Sequence, residues 1–207
     1  MTLTVRAAGP DDTAGCAIGP ATRVAGVADV SVRPARPEDV PEIARIQIET
    51  WRIAYPKILP EAVLESLTVE AAEPAWAAAV QAPPSPKHHV LVAQEQHWLV
   101  GFAAVAPAND LEEQDPDPDA TAQLGPLLVE PRWSRRGHGS RLLAAAVDHA
   151  RDDGMVRLIT WILTADAASL DFLRSAGWAA DGYARELDTG AGEIREMRLH
   201  VSLDETP

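Results

Sequence analysis

Six consecutive residues, Arg135-Arg136-Gly137-His138-Gly139-Ser140, concentrate the chemistry of this chain. They lie between an apolar run, Leu127-Leu128-Val129, and a stretch with helical spacing. Glycine admits positive φ and lets the main chain approach a ligand, while the unpaired N–H groups of a helix start form a preset anion site. Such a turn fits a pyrophosphate, and the two guanidiniums add local positive charge. The plainer reading is an ordinary tight connection. A lone Gly-x-Gly is neither the dinucleotide fingerprint nor the P-loop, since Gly-x-x-Gly and Gly-Lys-Ser/Thr are both missing. The following helix favours a site, because Leu142, Leu143, Ala146, Val147 and Ala150 form one apolar face that fixes the turn on a sheet.

Few other side chains offer acid–base or nucleophilic chemistry. Tyr55 and Tyr183 are the only tyrosines, each as suited to packing as to donating a proton. His138 lies inside the turn, where its backbone N–H matters more than its ring. His88, His89 and His97 border expected strands, where a lone histidine is structural or exposed. Asp166 reads as the N-cap of a helix beginning at Ala167. The single Cys16 forms neither an internal disulfide nor a cysteine-only metal site, so no metal is expected and a reducing, cytoplasmic compartment is consistent with it. Asp110, Glu112, Glu113, Asp115, Asp117 and Asp119 crowd one stretch with Pro116 and Pro118. A solvated loop is the plain reading of that stretch, and attraction of a cationic substrate the sharper one.

The elements that must position these residues follow from length and periodicity. The chain has 207 residues, 46% hydrophobic and 24% charged, which suits one mid-sized soluble domain. Thirty-one acids against 18 bases give a net charge of -13, which argues against nucleic acid as a partner. No apolar run approaches the ~20 residues of a membrane span, and no signal-peptide pattern opens the chain. Residues 1–29 read as an N-terminal extension, in which Val5–Asp12 echoes Val32–Asp39; residues 30–202 form the domain and 203–207 a tail. Strands are expected at Val30–Arg33, His89–Ala93, Trp98–Ala106, Gln123–Glu130, Val156–Leu163, Trp178–Leu187 and Glu193–Val201. A helix after Pro37 presents Val40, Ile43, Ala44, Ile48 and Trp51 on one face, and shorter helices span Glu61–Leu67 and Val69–Ala82. Two more, Gly137–Asp153 and Ala167–Ala176, close at Gly154 and Gly177. The order implies a mixed sheet with helices on both faces.

The turn resembles the motif of the GNAT superfamily of acyl-CoA N-acyltransferases: Arg or Gln, two residues, Gly, one residue, then Gly or Ala, at the start of the central helix. Here it falls as Ser134-Arg135-Arg136-Gly137-His138-Gly139. Ser134 departs from the first position but spares the backbone N–H groups from Arg135 to Ser140. The resemblance spans about residues 30 to 202. Val32-Arg33-Pro34-Ala35 with Glu38-Asp39 looks like the family's opening strand and helix start. Trp51, Tyr55 and Leu59-Pro60 are similar to its substrate-side segment, and Phe172-Leu173-Arg174-Ser175-Ala176-Gly177-Trp178 to its Tyr-Glu-Lys-x-Gly-Phe segment.

The resemblance implies an α/β (α+β) fold with a mixed, mostly antiparallel central sheet and splayed central strands. Acetyl-CoA would lie with its pantetheine arm along Gln123–Glu130 as though it were another strand. The implied binding set is Leu127, Val129, Arg135, Arg136, Gly137, His138, Gly139 and Ser140, with Asp166 standing where the family has an Asn that touches the arm. Leu127 N–H would be an oxyanion-type donor, although the Leu and Val side chains are equally good core. Gln123 and Leu173 occupy the positions of the usual catalytic Glu and Tyr. An alkylamine with pKa near ~10.4 is nearly all protonated at pH 7, so some group must help remove its proton. Tyr55 is nominated to donate or orient. The expected activity is acetyl transfer from acetyl-CoA to a primary amine, small or peptidic, by direct attack in a ternary complex. The alternatives are a catalytically weakened CoA-binding sensor or assembly module and an unrelated mixed α/β domain with a fortuitous turn. Self-association as a homodimer is left open.

Overall fold

Residue Asp39 ties the first strand to the first helix. In the computed structural model, which describes residues 30–189 and 192–203, strand β1 (Val30–Pro34) leads through a 3-10 turn into helix α1 (Val40–Ala54). The Asp39 carboxylate accepts two bonds from Arg33, at 2.6 and 2.9 Å, and one from Arg36 N–H at 2.7 Å. Burial opposes its ionisation, but these donors prevail and its pKa lies below the usual carboxylate value. The echo at Val5–Asp12 and Cys16 lie outside the described residues.

Helix α1 buries Val40, Ile43, Ala44, Ile46 and Ile48. Ile46 was not on the expected face, and Trp51 is only half-buried. Helices α2 (Glu61–Ser66) and α3 (Val69–Gln81) follow, the latter capped by Thr68, which accepts from Ala71 N–H at 3.2 Å. The remaining elements are β2 (His89–Glu95), β3 (Trp98–Pro107), β4 (Thr121–Val129), α4 (His138–Asp152), β5 (Arg157–Leu163), α5 (Ala167–Ser175), β6 (Ala179–Asp188) and β7 (Glu193–Ser202). All lie where periodicity places them, within a few residues at the ends. Leu203, assigned to the tail, belongs to the fold: it is buried and its N–H donates to Val156 O at 2.7 Å.

The sheet has seven strands in the order β1-β2-β3-β4-β5-β7-β6. Every pair is antiparallel except β4–β5. Leu142, Ala146 and Ala150 of α4 pack on Ala103, Leu124 and Leu158. On the opposite face, Ile43, Ile46 and Trp76 of α1 and α3 cover Val92 and Phe102. The fold is therefore the mixed, mostly antiparallel sheet with helices on both faces that was expected.

The splay is explicit in the register. Strands β4 and β5 pair only over Thr121–Gln123 with Arg157–Ile159. Beyond that point β4 stays with β3 while β5 continues along β7. Gly125-Pro126 form a bulge, since Leu124 faces Val105 and Leu127 faces Ala103. An extra residue bends the strand, and Pro126 has no N–H for a ladder bond.

The acidic stretch is solvated in part: Glu112, Glu113, Asp117 and Asp119 are exposed, as expected, but two of its acids are tied to the sheet. Asp115 is 7% exposed and bonds both Arg198, at 2.8 Å, and Arg157, at 3.2 Å. Asp110 holds Arg185 at 2.7 Å, and Gln114 donates to Tyr183 Oη at 2.9 Å. The loop is pinned to the far half of the sheet because basic partners wait there on β5, β6 and β7.

Candidate active site

The turn before α4 contains two left-handed positions, Arg135 at φ 63° and Gly137 at φ 81°. Gly137 is the N-cap and offers no side chain to cap the helix. The first bond of α4 runs from Arg141 N–H to Gly137 O, at 3.1 Å. Among the described residues, the N–H groups from Arg135 to Ser140 donate to no protein acceptor. An uncapped helix start with consecutive free amides is an anion site by geometry and dipole together.

A cavity of about 460 Å³ opens onto this turn. Leu127 and Val129 line it from β4, with Arg135, Gly137, His138, Gly139 and Ser140 from the turn and Ser169 and Phe172 from α5. Gly139 is where α4 comes closest, since a Cβ there would lie 3.5 Å from Phe172. Arg136 and Asp166, named with this set, do not line the cavity. The Arg136 guanidinium stacks over Trp133 at 4.8 Å and bonds Glu95 at 3.1 Å, so its charge is already matched. The His138 ring is 1% exposed, with Nε2 bonded to Glu95 Oε2 at 2.9 Å. It anchors the turn to the end of β2. Arg141, absent from the expected set, donates to Arg136 O at 3.0 Å and places another cation beside the turn.

A second cavity, of about 380 Å³, lies on the other side of the splay. Gln123, Leu124, Gly125 and Pro126 of β4 face Trp161, Ile162 and Leu163 of β5 across it. Trp51 and Tyr55 close it from the α1 end, with Leu59 and Val63 beyond. The Tyr55 hydroxyl donates to Asp166 Oδ2 at 2.9 Å. Asp166 also accepts from Ser169 N–H at 3.1 Å and Ser169 Oγ at 2.8 Å, so it is the helix cap as well as the partner of Tyr55. Burial first, then the Asp166 carboxylate, pushes the Tyr55 pKa above its ordinary value, so the phenol is held neutral.

Glu196, which sequence reasoning missed, also lines this cavity. Arg185 Nε bonds it at 2.7 Å, and the Arg185 guanidinium lies 4.2 Å from the Trp161 ring centre. Only the pairing of β7 with β5, which sets Glu196 opposite Leu163, brings it here. Leu173 is buried core and supplies no acid. Tyr183 packs under Arg198 at 4.1 Å, away from both cavities. His89 bonds Asp153 at 2.7 Å, His88 bonds Ser85 at 2.9 Å, and His97 lies against Trp98. No group of three or more His, Cys, Asp or Glu among the described residues is placed to hold a metal, and no described helix is long and apolar enough to cross a membrane.

Acyl transfer needs donor and nucleophile to meet from opposite sides, and the two cavities are lined by successive parts of β4, Gln123 to Pro126 in one and Leu127 and Val129 in the other. By fold and site the molecule is of the acyltransferase class. The chain belongs to the acetyltransferase (GNAT) family, which it matches over residues 41–178. It is 30% identical over 135 residues to YuaI, an uncharacterized N-acetyltransferase of Bacillus subtilis, covering 65% of this chain and 72% of that one. Its fold is similar to that of the PaiA N-acetyltransferase of Thermoplasma acidophilum in complex with coenzyme A, with a TM-score of 0.67 and 16% identity over 84% of this chain and 99% of that chain. It is also similar to YncA of Salmonella typhimurium, solved with its cofactor acetyl-CoA, with a TM-score of 0.63 and 20% identity over 86% and 95% of the two chains.

Proposed function

We propose that this protein moves an acetyl group from acetyl-CoA to a primary amine by direct attack within a ternary complex, without a metal and in the cytoplasm. The observation that carries the reading is the run of free N–H groups from Arg135 to Ser140 at the head of α4, opening onto the slot between β4 and β5. The cosubstrates bound to PaiA and YncA support coenzyme A as the diphosphate ligand. The diphosphate lies on those amides, and the unpaired Arg135 side chain adds charge. The arm runs beside Leu127 and Val129, and Leu127 N–H donates to the oxygen that becomes negative during attack. The Tyr55 proton is committed to Asp166, so Tyr55 orients the amine by accepting from it rather than protonating the leaving thiolate. Asp166 acts through Tyr55.

Removing a proton from the amine with only Gln123 at the usual base position falls to water, once the amine and thioester are held together. The test is calorimetric titration with CoA combined with thiol release from acetyl-CoA over a panel of amines. Binding and amine-dependent release are expected. Gln123 and Leu173 favour one second reading, a CoA-binding sensor module, which predicts tight CoA binding with no release on any amine.

A further inference from the structure

The second cavity has an apolar wall and a polar part. Its apolar wall includes Trp51, Leu59, Val63, Trp161 and Ile194. Its polar part consists of Tyr55, Asp166, Glu196 and Arg185 with the side-chain amide of Gln123. Arg185 is its one guanidinium, and two of that group's nitrogens are taken: Nε by Glu196 at 2.7 Å and Nη1 by Asp110 at 2.7 Å. Trp161 stacks against the guanidinium at 4.2 Å. The cavity is thus lined by one cation, Arg185, and two carboxylates, Asp166 and Glu196, with Asp110 bonding Arg185 as a third. Tyr55, Asp166 and Glu196 line the same cavity, and Asp166 holds the Tyr55 hydroxyl at 2.9 Å.

We infer that the acceptor is a small primary amine carried on an apolar body, with no carboxylate beside the amine: an arylalkylamine or a comparable alkylamine. The inference rests on the transferase reading for its chemistry, but on the cavity alone for its selectivity. The ammonium end is held by the Tyr55 oxygen, whose own proton goes to Asp166, and by Glu196. A substrate carboxylate would meet an arginine whose charge is already matched by Glu196 and Asp110, and carboxylates of its own sign. A polyamine would set its further ammonium groups against indole and aliphatic walls, where they lose hydration without a partner. At about 380 Å³ the cavity is at the small end of the ~300–1,000 Å³ range of small-molecule sites, so the whole acceptor fits inside it.

Phenethylamine, phenylalanine and spermidine separate these possibilities. Each is titrated calorimetrically into protein saturated with CoA, and each is assayed for thiol release from acetyl-CoA. Phenethylamine should exceed phenylalanine about 100-fold and spermidine about 10-fold in kcat/KM, the size expected for an unmatched charge in a partly buried site. Glu196→Gln should raise the KM for phenethylamine about 10-fold while leaving CoA affinity unchanged. Equal or better use of phenylalanine or spermidine overturns the inference, as does failure of phenethylamine to bind. Selective binding of phenethylamine with no thiol release upholds the acceptor assignment and instead defeats the transferase reading.

Discussion

Gly137 and Gly139 are equivalent in the motif but not in the folded chain. Gly137 holds φ 81°, whereas Gly139 has no positive φ and a Cβ there would meet only ordinary contacts, 3.5 Å from Phe172. Gly137→Ala should therefore cost about 1–2 kcal/mol from left-handed strain and weaken CoA binding about 10-fold as the turn reorganises. Gly139→Ala should change stability by less than ~0.5 kcal/mol. Urea denaturation and CoA titration of the two variants check this pair. The arginines divide in the same way. Arg135→Ala should weaken CoA binding about 10-fold, with a loss that shrinks at high salt. Arg136→Ala should act mainly on stability, because its guanidinium already serves Glu95 and Trp133. The turn was legible in sequence because its residues are contiguous. The Tyr55–Asp166 bond was not, since its partners are 111 positions apart and each has a sufficient local explanation.

Strand β4 carries the backbone along which the donor is proposed to lie, and β3 fixes its position. A Cβ on Gly101 would lie 2.6 Å from Leu128 O, a backbone atom that cannot swing aside. Gly101→Ala should part β3 from β4, destabilise the protein by about 1–3 kcal/mol and lower kcat in step with the displacement of Leu127. Chemical denaturation and steady-state turnover measure the two effects. Periodicity revealed every α-helix and strand among the described residues, though not the short 3-10 turns Pro118–Ala120 and Pro131–Trp133, because a buried face repeats at 3.6 or 2 residues whatever its neighbours are. It did not show where β4 leaves β5. Ala122 in the paired stretch and Leu124, Leu127 and Val129 beyond the parting are all apolar, and their spacing does not say whether the next neighbour is a strand or a slot. Within the acidic stretch the roles of Asp110 and Asp115 were hidden for a related reason: they look as solvated as Glu112, Glu113, Asp117 and Asp119 until Arg157, Arg185 and Arg198 arrive from distant strands.

At the scale of the whole molecule, the slot leaves the sheet as two halves joined by three residue pairs of β4 and β5. Asp115 reinforces that join. Reaching out of the β3–β4 connection, it bonds Arg157 of β5 and Arg198 of β7, while Asp181 of β6 bonds the same two arginines at 3.0 and 2.7 Å. Arg198 is fully buried, so removing a partner leaves a charge without solvent, and Asp115→Ala should destabilise by about 3–5 kcal/mol. The hydrogen bond from Arg198, working against burial, holds the Asp115 pKa at about 2 rather than 3.8. A depressed carboxylate pKa stabilises the folded state above the unfolded value and ceases to do so as pH falls through the folded one. Asp115 should thus contribute about 2 kcal/mol at neutral pH, lost between pH ~4 and ~2. The net charge of -13 acts in the opposite sense, because protonating exposed acids first relieves self-repulsion. Urea midpoints of the parent alone would mix the two effects. Asp115→Asn separates them, as it keeps the surface acids and removes one buried charge. The stability gap between parent and variant should hold steady from pH 7 to about 5, close between about 4 and 2, and nearly vanish below. A gap that stayed constant to pH 2 would mean that the bond from Arg198, not the charge, is what joins the two halves of the sheet.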